Sequence, residues 1–64
     1  MDRVARSDEI EIYQDAVGQW RWRRRAPNGE IIADSGEGYV SKAHTVLMAA
    51  RVNGHAGVDY MGLD

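Results

Sequence analysis

From Glu9 the chain alternates polar and apolar residues, Glu9-Ile10-Glu11-Ile12-Tyr13, which is the period of a strand with one buried face. Ile10 and Ile12 share one face; Glu9, Glu11 and Tyr13 share the other. Asp15-Ala16-Val17-Gly18 reads as a hairpin turn. A three-residue loop, Ala16 to Gly18, puts Gly18 at the left-handed position such loops use. That loop length sets Ile12 opposite Trp22 and Glu11 opposite Arg23. A slip of one residue would set isoleucine against arginine, which a buried face does not accept. Trp20 and Trp22 therefore join the isoleucine face, while Arg21, Arg23 and Arg25 join Glu9 and Glu11.

Asn28-Gly29 predicts a second tight turn of type I′, with positive φ at both residues and Pro27 limiting where pairing begins. The third strand is then Glu30 to Ser35. Its parity puts Ile31 and Ala33 beside the tryptophans, and Ile32 and Asp34 on the arginine face. Gly36-Glu37-Gly38-Tyr39 breaks the pattern and marks a turn. From Lys42 the period changes to that of a helix, with Ala43, Val46, Leu47 and Ala50 on one face and Met48 and Val52 widening the arc. Ser41 is the expected N-cap, and Gly54 after Asn53 the expected stop. Residues 42–53 thus predict one amphipathic helix covering the tryptophan face. Val58, Tyr60 and Met61 fit a short fourth strand, on an edge of this sheet or on a partner chain's sheet. The expected architecture is α+β, a β-β-β-α-β unit: a three-stranded antiparallel meander packed on one helix. Residues 1–8 read as a flexible N-terminus and 9–64 as a single domain.

Composition narrows the function classes. A chain of 64 residues buries only about 60% of its unfolded surface, so its own core is marginal. There is no cysteine, which removes disulfides and Cys/His zinc sites, and two histidines alone do not suggest a metal centre. No metal and no cofactor is expected. Self-association is the remaining common source of buried area. No segment approaches the ~20 apolar residues of a membrane span, and residues 1–8 hold no apolar run of signal-peptide length. The expected compartment is the cytoplasm, with no membrane partner. The net charge is −2, yet four of the seven arginines cluster at positions 21 and 23–25.

Glu11-Ile12-Tyr13, Trp20-Arg21-Trp22-Arg23, Asn28-Gly29-Glu30-Ile31-Ile32-Ala33 and Ser35-Gly36-Glu37-Gly38-Tyr39 with Ser41-Lys42 resemble the YegP-like family of small domains. The likeness runs from about Glu9 to Ala43. It implies a β-β-β-α-β unit, two copies of which join into one sheet and exchange their C-terminal strands. One unit here implies a homodimer. The resemblance carries no catalytic residue. Arg24 departs from it, standing where family members tend to be apolar, on the core side of the sheet end.

Three surfaces are candidates for function. Arg21, Arg23 and Arg25 form a basic row ~13 Å long at about 3.4 Å per residue, the spacing of a phosphate-tracking surface. Glu9, Glu11 and Asp34 share that face and neutralise it, and the tryptophans point the other way, so base stacking beside the row is excluded. Gly36, Gly38, Ser41 and Lys42 precede and open the helix as an anion cradle would, although Glu37 sits among them. Val58, Tyr60 and Met61 are the expected dimer contacts: apolar residues in a tail too short to bury them alone. Tyr13, Tyr39 and Tyr60 suit half-buried interface positions. His44 and His55 have no acid or nucleophile at diagnostic spacing, and no enzyme activity is expected. The leading expectation is a homodimeric protein or peptide interaction module. A nucleic-acid-binding accessory protein is the alternative, and a small anionic ligand binder at the glycine turn the third.

Overall fold

The computed structural model of the chain describes residues 7–64. It contains strands β1 (Asp8–Gln14), β2 (Trp20–Arg25), β3 (Ile31–Asp34) and β4 (Val58–Met61), with helix α1 (Lys42–Asn53) between β3 and β4. The strands form one mixed sheet in the order β3-β2-β1-β4. β1–β2 and β2–β3 are antiparallel; β4 lies parallel to β1 on its other side. Helix α1 packs on β1 and β2, and no described element covers the opposite face. Asp8, assigned above to the flexible segment, is instead the first residue of β1, and its N–H donates to the Gly57 carbonyl at 3.0 Å. Positions 1–6 of that segment lie outside the described residues.

The two hairpins are closed by the same loop. Asp15 N donates to Gln19 O at 2.8 Å and Gly18 N to Asp15 O at 3.0 Å; Ala26 N donates to Glu30 O at 2.8 Å and Gly29 N to Ala26 O at 2.8 Å. Each loop has three residues and ends on a glycine with positive φ, 89° at Gly18 and 93° at Gly29. The first matches expectation and delivers its register, Ile12 opposite Trp22 and Glu11 opposite Arg23. The second corrects the type I′ turn, because Asn28 does not have positive φ. Pro27, with its preset φ, starts an ordinary turn, and the Asn28 side chain accepts from Glu30 N at 3.0 Å.

The longer second loop would shift β3 by one residue, and a bulge takes the shift back. Arg25 pairs with Ile31, Arg24 with Ala33 and Arg23 with Asp34, leaving Ile32 as the extra residue. Ala33 and Asp34 thereby reach their expected faces. Ile31 does not: it lies opposite Arg25, away from the tryptophans, and is 50% exposed.

The core is Ile10, Ile12, Trp22, Ala49 and Val58, flanked by half-buried Trp20, Ala33, Tyr39, Val46 and Tyr60. Helix α1 has its expected limits: the Ser41 hydroxyl accepts from His44 N, and Gly54 N donates to Ala50 O. Its rotation differs from expectation. Thr45 and Ala49 are fully buried, whereas Leu47 is 56% exposed and Ala43 is exposed. The helix is turned by about one residue, ~100°. The small side chains of Thr45 and Ala49 are the buried ones, and Ala49 shares the core with Trp22. Thr45 tolerates burial because its hydroxyl donates to Ser41 O at 2.9 Å.

Arg24 does sit on the core side, opposite Ile10. Its Nε meets Asp8 Oδ2 at 2.7 Å and its Nη1 donates to Asn53 Oδ1 at 3.2 Å. The core therefore ends in an ion pair that ties the start of β1 to the end of α1. A charge is acceptable there because it is paired and hydrogen-bonded.

Candidate functional site

The uncovered sheet face carries the arginine row. Arg21 Nε donates to Asp15 Oδ2 at 2.7 Å, Arg23 Nε to Glu11 Oε1 at 2.7 Å, and Arg25 Nη2 to the same oxygen at 3.3 Å. Arg25 also donates to Gly29 O at 3.1 Å. Arg23 stacks on Tyr13, its guanidinium carbon 4.4 Å from the ring centroid. The Glu11 carboxyl is held below the usual glutamate range, chiefly by the Arg23 hydrogen bond, with Arg25 adding and burial opposing. Asp15 is lowered too, by Arg21 first and then by the N–H groups of Gln19 and Val17. Each cation in the row is thus engaged by an acid or carbonyl of the same chain.

Sequence reasoning named Glu9, Glu11 and Asp34 as the neutralising acids and missed Asp15. Its signal was present: an aspartate opening a turn binds the turn's N–H groups, and Asp15 Oδ1 accepts from Val17 N and Gln19 N. The carboxylate's other oxygen is then aimed at Arg21.

The glycine turn assembles differently from an anion cradle. The Ser41 hydroxyl is committed to His44 N at 3.1 Å. Lys42 turns away, its Nζ donating to the Asp64 carbonyl at 2.8 Å and lying 5.4 Å from the Trp20 ring centroid. Tyr39 pairs with Trp20 through two backbone bonds of 2.7 and 2.8 Å. This draws Gly38 against Gln19, where a Cβ would stand 2.7 Å from Gln19 Cβ. Gly38 is a close-approach glycine. Gly36, Gly38, Ser41 and Lys42 therefore hold the sheet-to-helix turn, and their polar groups do not converge. Among the described residues, no group of three or more His, Cys, Asp or Glu side chains is placed to hold a metal.

Of the expected dimer contacts, Val58 is 9% exposed within the chain's own core, and Tyr60 packs against that core. The Tyr60 hydroxyl donates to Gly54 O at 2.6 Å, and burial raises its pKa against the opposing charge of Arg24. The free edge of β1 supplies the sheet that the tail was expected to lack. Met61 alone of the three is exposed, at 46%. Apolar surface also remains open beside α1. Lys42, Ala43, Val46 and Leu63 line an open groove of about 560 Å³, and Leu47 follows Ala43 by one helical turn. No described helix is long and apolar enough to cross a membrane.

A family described as Domain of unknown function (DUF1508) matches residues 15–59. UPF0339 protein NMB1088 of Neisseria meningitidis serogroup B is 66% identical over 33 residues, covering 52% of this chain and 57% of that protein. A serogroup A protein, NMA1193/NMA1859, matches to the same extent. The chain's match thus spans little more than half the length of these two relatives. UPF0339 protein Atu0232 of Agrobacterium fabrum is 39% identical over 56 residues, covering 86% of this chain and 89% of that protein. No solved structure matches.

Proposed function

The chain belongs to the DUF1508 family, the YegP-like domains of unknown function, and we propose that it works as a homodimeric interaction module for a protein or peptide partner. The observation that carries this reading is the rotation of α1. The helix turns its small residues to the sheet and leaves Ala43 and Leu47 facing outward, next to the groove that Leu63 borders. Scattered apolar residues on a surface need no explanation, but a contiguous strip on a domain this small favours a contact. Exchange of β4 between two copies is compatible with the same packing. The connector Gly54–Gly57 holds two positive-φ glycines, at 68° and 73°, and rerouting it would dock Val58 and Tyr60 on the partner's β1 unchanged. The reading is non-enzymatic and needs no cofactor.

Sedimentation of the full chain at micromolar concentration tests the dimer. A dimer is expected, and Leu47→Asp should shift it toward monomer while leaving the far-ultraviolet spectrum unchanged. A wild-type monomer across that range would sink the proposal.

A further inference from the structure

We infer that the free edge of β3 is a docking site for an extended peptide segment carrying apolar and basic residues, added to the sheet as a fifth strand. The inference rests on the interaction-module reading and names its partner. β3 is the outer strand beside β2. Outer strands are commonly guarded by short length, charged residues, proline, a bulge or a covering element. β3 is short, bulged and carries Asp34, but it has no lysine or proline, and β2 is the described element it packs against, so its outer edge is open. Its bulge at Ile32 distorts only the hairpin end, since Ala33 and Asp34 pair regularly. Ser35 N donates inward to Trp22 O. By the alternation of an antiparallel ladder, the N–H and C=O of Asp34 face outward, where an added strand would meet them. Ile31 and Ile32, 50% and 54% exposed, give that strand apolar contact.

Charge selects the partner. From Ala26 to Ser41 the chain holds Glu30, Asp34 and Glu37 and no basic residue. Among the described residues none of these three has an ion-pair partner, because the β2 arginines lean toward Asp15 and Glu11. Asp34 lies opposite Arg23 in the ladder, but the Arg23 guanidinium pairs with Glu11 instead. Three exposed carboxylates beside two exposed isoleucines favour a cationic, partly apolar strand. They disfavour a second copy of β3. Antiparallel self-pairing about Ile32 would set each Glu30 against the other chain's Asp34, a like-charge cross-strand pair.

The test uses the full chain, isotopically labelled, and a synthetic peptide with the core Lys-Val-Ile-Val-Lys, with Glu replacing both Lys in the control. Amide shifts should concentrate at Ile31–Ser35 for the basic peptide and be absent for the acidic one. Asp34→Lys, on an exposed side chain, should weaken binding about tenfold, as exchanging an attractive cross-strand pair for a like-charge one implies. Shifts on α1 or β4, equal response to both peptides, or β3 shifts that track protein concentration alone would each overturn the edge site. So would absence of binding to a chain that sediments as a dimer. A monomeric chain that binds the basic peptide at β3 would instead refute the homodimer and support the edge site.

Discussion

Trp22 shows how one side chain organises this domain. It is 4% exposed, lies opposite Ile12 and receives α1 from above. Trp22→Ala should cost ~3–5 kcal/mol, as other large-to-small core changes do, and unfold or nearly unfold so small a domain. An unchanged thermal midpoint would place Trp22 on the surface. Glu11 acts at the same scale on the other face. Its carboxyl is held below its ordinary 4.5 by Arg23 first, so the folded state binds the proton less readily than the unfolded one. Its contribution to stability is therefore present above the ordinary value and lost as pH falls through the lowered folded one. Urea midpoints measured from about pH 6 to about pH 3 should fall more steeply for the wild type than for Glu11→Gln. Parallel curves would show that the Arg23–Glu11–Arg25 cluster adds nothing.

At the scale of elements, caps and loops do more than propensity. The Ser41 hydroxyl satisfies His44 N, one of the otherwise unpaired donors of the first helical turn. Ser41→Ala should lower stability by ~1 kcal/mol, measured by chemical denaturation. No change would mean that water replaces the cap at no cost. Strand β2 holds the charges that most resemble a nucleic-acid surface. With Arg21 on Asp15 and Arg23 and Arg25 on Glu11, the row has little free charge. No measurable binding to duplex DNA or single-stranded RNA is expected at physiological salt. Micromolar binding that weakens with salt, and vanishes when Arg21, Arg23 and Arg25 are all changed to Gln, would reverse that assignment.

At the scale of the whole molecule the core is small: among the described residues, five apolar side chains and one threonine are buried. If a second copy covers the Ala43–Leu47 flank, stability becomes coupled to concentration. The thermal midpoint of the full chain should rise with protein concentration, and that rise should disappear in Leu47→Asp. A midpoint independent of concentration in the wild type would mean that the single chain carries its own stability.

The parts legible in the sequence are those set by neighbours along the chain. Period-two alternation and the three-residue loop ending at Gly18 were enough for the β1–β2 register and for the faces of Ile12, Trp22, Glu11 and Arg23. Ser41 and Gly54 were enough for the limits of α1, because caps act within one turn. Three features belong to tertiary structure alone. The rotation of α1 buries the small Thr45 and Ala49 and leaves the larger Leu47 exposed, an outcome of packing against the sheet. The bulge at Ile32 reconciles a loop one residue too long with a face that must still bury Ala33. The place of β4 followed from the open edge of β1, a vacancy that exists only once β1, β2 and β3 have assembled. In each case the outcome depends on volume or reach between residues distant in sequence, which periodicity does not encode.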